Sequence, residues 1–137
     1  MARILIIEDN PANMKLACLL LRNAGHTVLS ADDAEEGLTL ARAALPDLIL
    51  MDIQLPGMDG LAATTLLKQD PATGAIPVIA LTAMAMKQDR DKSLVAGCDA
   101  YIAKPLRYQD LYVAIDTLLA RGMPAAVRAE GGSPRAP

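Results

Sequence analysis

Five short apolar runs punctuate the chain: RILII (3–7), HTVLSA (26–31), DLILMD (47–52), PVIALT (77–82) and DAYIA (99–103). Most are continuously apolar rather than alternating with polar residues. A strand with one wet face alternates, whereas a strand covered on both faces does not. The segments between them are built of helix formers with recognisable ends. Asn10 is a natural N-cap, Pro11 suits a first helical position and Gly25 supplies a stop, which predicts a helix over 11–24. Asp33 followed by Glu36 is a capping-box variant that opens a helix to about Ala44. Gly37 inside that helix costs about 1 kcal/mol relative to alanine, which argues for close packing there. Asp59 caps a helix running to about Gln69. Residues 85–96 form a polar-faced helix that Gly97 ends, and residues 108–120 form the last one. Five strands alternating with five helices imply an α/β fold: a doubly wound parallel sheet with right-handed crossovers and helices on both faces.

The 137 residues suffice for one domain with a real core and are too few for two ordinary ones. At 53% hydrophobic, the chain reads as globular. Its net charge of −3, with no lysine- or arginine-rich run, argues against direct DNA binding. Tyr101, Tyr108 and Tyr112 are its only aromatic residues besides His26, too few for a base-stacking platform. Cys18 and Cys98 fit no metal spacing and read as buried free thiols of a reducing compartment. The apolar stretch at the N-terminus is too short for a signal peptide, and no run approaches a membrane span. A cytoplasmic protein without membrane insertion is expected. The domain is expected to occupy residues 1–121. Residues 122–137, rich in Gly, Pro and Ala, read as a disordered tail.

In open α/β sheets, sites lie beyond the carboxyl ends of the strands. Distinctive residues stand at those ends: Glu8-Asp9, Asp52, Thr82-Ala83 and Lys104-Pro105. If the first and third strands are neighbours, three carboxylates converge. Unaided, such a cluster repels itself and raises its own pKa values. A hard divalent cation such as Mg²⁺, held by carboxylates and water, resolves the conflict. The remaining parts suit phosphoryl chemistry. A carboxylate can act as nucleophile and form an aspartyl phosphate. Lys104, the Thr82 hydroxyl and the Ala83 backbone N–H can then share the phosphoryl oxygens with the cation.

The set IIEDN, DLILMDIQLPGMDG, VIALTA and YIAKP resembles the receiver domain of bacterial two-component response regulators, the CheY-like superfamily, over roughly residues 2–120. Its flavour is similar to single-domain regulators and to receivers attached to hybrid kinases. The resemblance implies a flavodoxin-like sheet of order 2-1-3-4-5. It implies that Asp52 accepts a phosphoryl group from a phosphohistidine on a histidine kinase or histidine phosphotransferase. Asp9, Asp52 and the backbone carbonyl of Gln54 would bind Mg²⁺ directly, with Mn²⁺ as a substitute, and Glu8 through water. Thr82 and Lys104 would contact the phosphoryl oxygens, and Tyr101 would turn inward as Thr82 moves. The Lys104–Pro105 bond is expected to be cis. A downstream protein would read the face made by the fourth helix, fifth strand and fifth helix, with Met84, Met86, Lys87, Tyr101 and Tyr108 on it. Family resemblance also places partner docking near the first helix, where Met14, Cys18 and Leu21 share an i, i+4, i+7 row while Ala17, Leu20 and Ala24 are expected to face the sheet.

Three other readings compete. An aspartyl-nucleophile phosphatase carries a second Asp two positions after the first, as general acid; here that position is Gln54. A flavin-binding module would need a hydroxyl- and amide-rich loop after the first strand, where EDN instead repels phosphate. A receiver that binds partners without phosphorylation is disfavoured by the complete acidic, Thr and Lys set. The free-standing chain has an alternative too, a receiver cut from a hybrid kinase. Gln54 and Met84 flank the path of attacking water, and neither is an acid or base, so slow to intermediate self-hydrolysis is expected. His26 reads as a surface residue rather than a phosphohistidine.

Overall fold

A computed structural model describes residues 2–82, 96–104 and 106–122. The expected helix over 85–96, the Ala83 amide, Met84, Met86, Lys87, the Lys104–Pro105 bond and the tail from residue 123 lie outside them. The elements run β1 (Arg3–Ile7), α1 (Pro11–Asn23), β2 (Thr27–Ala31), α2 (Ala34–Ala44), β3 (Leu48–Asp52), α3 (Gly60–Gln69), β4 (Val78–Thr82), β5 (Ala100–Ala103) and α4 (Tyr108–Gly122). All five strands are parallel, in the order β2-β1-β3-β4-β5.

The continuous apolar runs have the expected cause. Leu5, Ile7, Ile49, Met51, Val78 and Ala80 face the side covered by α2 and α3. Ile4, Ile6, Leu48, Leu50, Ile79 and Leu81 alternate with them and face α1 and α4. Every residue of β3 and β4 is buried. Gly37 packs directly on Ile7, where any Cβ would press on the isoleucine side chain.

Each helix entrance after the first three strands is capped as expected. Asn10 Oδ1 accepts from the N–H groups of Ala12 (2.9 Å) and Asn13 (3.0 Å). Asp33 Oδ1 accepts from Glu36 N–H at 2.8 Å, and Glu36 Oε1 accepts from Asp32 N–H at 3.2 Å, one residue earlier than a standard box. Asp59 Oδ1 accepts from Ala62 N–H at 2.8 Å. No helix among the described residues is long and apolar enough to cross a membrane.

The exit of α2 is less favourable. Its cap, Leu45, takes the left-handed conformation (φ 48°) that a side chain resists. Leu45 is also half exposed, so its side chain returns little burial energy. Leu45→Gly is therefore expected to raise stability by up to about 1 kcal/mol, measured as a higher urea midpoint with an unchanged slope.

Candidate functional site

Parallel register converts residue spacing into proximity. Ile7 pairs with Met51, so Glu8 and Asp52 leave their strands at the same level. Asp52 pairs with Leu81, and Thr82 with Ala103, so Thr82 and Lys104 each stand one step further out. Between β1 and β3 the strand order reverses, which opens a crevice at this end of the sheet. The ladder continues past each strand end and holds the backbone there. Glu8 N–H donates to Ala31 O (3.1 Å), Ile53 N–H to Leu81 O (3.0 Å) and Lys104 N–H to Thr82 O (2.7 Å).

Glu8, Asp9 and Asp52 each bring a carboxylate oxygen to within 4.8 Å of the others. Glu8 and Asp52 are almost wholly buried, at 1% and 2% exposure, and Asp9 is exposed. Lys104 Nζ bridges the buried pair, 3.1 Å from Glu8 Oε1 and 3.2 Å from Asp52 Oδ2. Asp52 Oδ1 accepts from Gln54 N–H at 3.0 Å, and Glu8 Oε2 accepts from Asn10 N–H at 3.3 Å. Burial, reinforced by the neighbouring Asp52, pushes the Glu8 carboxyl up to about 7 despite Lys104. Lys104 itself is held above the usual lysine range by Glu8 and Asp52, which outweigh its partial burial.

One lysine does not neutralise three carboxylates. Glu8 Oε1 is buried, and the ammonium it faces at 3.1 Å is shared with Asp52. An all-oxygen donor set of three carboxylates served by one shared ammonium fits a hard divalent cation.

The other expected residues are placed as follows. Thr82 is buried at the end of β4. Tyr101 is half-buried, packs against the α2/α3 core, and lines a groove of about 340 Å³ with Ile102, Gln109, Asp110, Val113 and Ala114. Cys98 is buried and Cys18 half-buried, both free. His26 is half-buried at the opposite end of the sheet, just ahead of β2, where its Nδ1 accepts from Ala2 N–H at 3.1 Å.

The expected docking row on α1 needs correction. Leu21 is 0% exposed and belongs to the core with Ala17, whereas Ala24 is exposed. The buried stripe runs through 17 and 21 rather than through 17, 20 and 24, so Leu21 cannot meet a partner. Met14 and Cys18 are half-buried on its flank. Leu16 and Leu19 are the exposed leucines of this helix, and Leu16 lines a small pocket with Glu8, Asn13, Leu81, Lys104 and Leu106. Leu16 and Leu106 thus belong beside the site. The only hint of this in the sequence is the leucine surplus of α1.

Comparison with known proteins agrees with this geometry. The family model described as the response regulator receiver domain matches residues 4–116. The polar-differentiation response regulator DivK of Brucella anthropi is 48% identical over 103 residues, which is 75% of this chain and 84% of DivK. The receiver domain of a sensor histidine kinase from Pseudomonas aeruginosa, solved with a magnesium ion coordinated in its active-site cleft, superposes with a TM-score of 0.81 at 35% identity, covering 86% of this chain and 97% of that one. A CheY-like receiver domain protein from Methanospirillum hungatei superposes with a TM-score of 0.81 at 32% identity, covering 88% and 95%.

The raised Glu8 pKa has a definite sign. The folded state holds this proton more tightly than the unfolded chain, whose carboxyl titrates near its ordinary value of 4.5. The associated stability is complete below that value and is lost as pH rises through about 7. With a chelator present, stability should fall between about pH 4.5 and 7, by on the order of 3 kcal/mol at most. Urea midpoints across this range test the slope, which Glu8→Gln should flatten.

Proposed function

The chain belongs to the response regulator receiver domain family, and on that premise we propose that Asp52 carries a phosphoryl group received from a phosphohistidine on a histidine kinase or histidine phosphotransferase. The observation that carries this reading is the convergence of Glu8, Asp9 and Asp52 at one sheet end with Lys104 bridging two of them. A carboxylate oxygen of Asp52 attacks phosphorus. The new P–O bond forms as the P–N bond breaks, and the electron pair of that bond stays on the imidazole of the donor. Hydrolysis later returns phosphate and the free carboxylate.

The chain's own residues position this step. The ladder bonds around Asp52 hold its backbone, and the Gln54 N–H orients its carboxylate. Lys104, already within reach of Asp52, offers its ammonium to a phosphoryl oxygen, and Thr82 at the neighbouring strand end offers a hydroxyl. The Ala83 N–H is assigned a third oxygen by family resemblance. Asp9, Asp52 and the Gln54 carbonyl would hold Mg²⁺ (or Mn²⁺), with Glu8 acting through water, and the cation would offset the negative charge of acceptor and phosphoryl group together.

The signal leaves through protein contact. Thr82 shifts toward the phosphoryl group, and Tyr101, two strand positions before Ala103, follows into the vacated space. The face built on β5 and α4 then changes its affinity for a downstream protein. Phosphoryl donors dock at the edge of α1, where Leu16 and Leu106 border the acidic site and Met14 and Cys18 flank them.

Intact-mass analysis after incubation with acetyl phosphate and Mg²⁺ tests the core of the proposal. The native chain should gain one phosphoryl group and Asp52→Asn none, and a native chain that gains no mass overturns the reading. Leu16→Asp should slow transfer from a phosphorylated histidine phosphotransferase about tenfold, the equivalent of about 1.4 kcal/mol of lost contact, while leaving uptake from acetyl phosphate unchanged. Equal loss from both donors removes the docking assignment.

A further inference from the structure

Gly60 opens α3 directly behind the acceptor strand. Gly25, Gly57 and Gly97 occupy positive φ, whereas Gly60 does not. Alanine could adopt its backbone conformation without strain. What excludes a side chain is space. A Cβ at position 60 would fall on the carbonyl oxygen of Asp52, 2.7 Å from Ile53 Cα and 2.9 Å from the Asp52 carbonyl carbon. Gly37 provides the contrast. There the obstructing atoms are side-chain carbons of Ile7 rather than backbone. The atoms opposing Gly60 are backbone, in a central strand laddered to neighbours on both sides, and they have nowhere to go.

Gly60 is also fastened where it sits. Its N–H donates to Ile53 O at 2.9 Å, and its carbonyl accepts from Thr64 Oγ1 at 2.8 Å. Thr64 is fully buried, so that hydroxyl has no water to exchange with. The first turn of α3 and the Asp52–Ile53 peptide are therefore one packed unit, and Gln54, next in the chain, returns its N–H to the Asp52 carboxylate.

We propose that Gly60 is a positioning residue for the phosphoryl acceptor: by having no side chain it lets α3 seat on the Asp52–Ile53 peptide, and that seat sets how far the Asp52 carboxylate stands from Glu8, Asp9 and Lys104. The inference rests on the receiver reading above and deepens it. A methyl group at position 60 drives α3 and the acceptor peptide apart, and a misplacement of about 1 Å at a reacting group can cost about a hundredfold in rate.

The test compares the native chain with Gly60→Ala, Thr64→Val and Leu67→Ala. Leu67 is a core residue of the same helix with no part in the site, so its truncation lowers stability alone. Three quantities are measured: thermal midpoint, Mg²⁺ affinity by calorimetric titration, and mass gain from acetyl phosphate at saturating Mg²⁺. Gly60→Ala should slow phosphoryl uptake by about ten- to a hundredfold and weaken Mg²⁺ binding. Thr64→Val, which loosens the seat without filling it, should move both in the same direction by a smaller factor. Leu67→Ala should lower the midpoint while leaving both within about twofold. Uptake by folded Gly60→Ala within twofold of native overturns the inference, as does an equal loss in Leu67→Ala. Should Gly60→Ala fail to fold, unchanged uptake and Mg²⁺ affinity in Thr64→Val overturn it instead. A native chain that binds Mg²⁺ yet takes no phosphoryl group defeats the phosphoacceptor reading, and the Mg²⁺ affinities of the variants still judge the role of Gly60.

Discussion

The structure is organised around a repulsion. Two buried carboxylates, Glu8 and Asp52, stand at the same level of adjacent parallel strands with a third, Asp9, beside them. Lys104 reaches both buried groups, but a single ammonium shared between them leaves surplus negative charge. Folding concentrates charge that free chains would disperse, and the sheet is what tolerates the cost. Strands β1, β3 and β4 bury apolar side chains on both faces, so the ends that carry the acids cannot splay to relieve the strain between them. The site is thus held ready for positive charge, which is the condition a phosphoryl acceptor needs.

The same rigidity fixes Asp52 at a strand end rather than on a loop. Ladder bonds continue through Glu8, Ile53 and Lys104, so the functional side chains project from backbone that is fixed on both sides. Tyr101 on edge strand β5 borders a groove, and α4 exposes Tyr108 and Val113 beside it.

Much of this was legible in residue order because local physics dominated. Continuous apolar runs marked doubly covered strands, and Asn10, Asp33 and Asp59 announced helix starts that the structure capped with their side chains. Gly37 announced close packing and found it against Ile7. The α1 edge was misjudged for the opposite reason. A helix rich in leucine and alanine offers several apolar rows of similar quality, and periodicity does not say which row meets the sheet. Packing chose the row of Ala17 and Leu21, which buried one expected docking residue and left Leu16 and Leu19 outside.

Residue order by itself determined the kind of fold and the types of chemical group at the strand ends, because hydrophobic period, caps and the donor atoms of Glu8, Asp9, Asp52, Thr82 and Lys104 are properties of short segments. Tertiary structure alone decided which groups meet. That β1 lies beside β3, that Lys104 bridges Glu8 to Asp52, and that Gly60 is needed for space rather than conformation are consequences of strand order, register and helix seating. Those are contacts between separate elements of the fold, and no local preference encodes a distance between them.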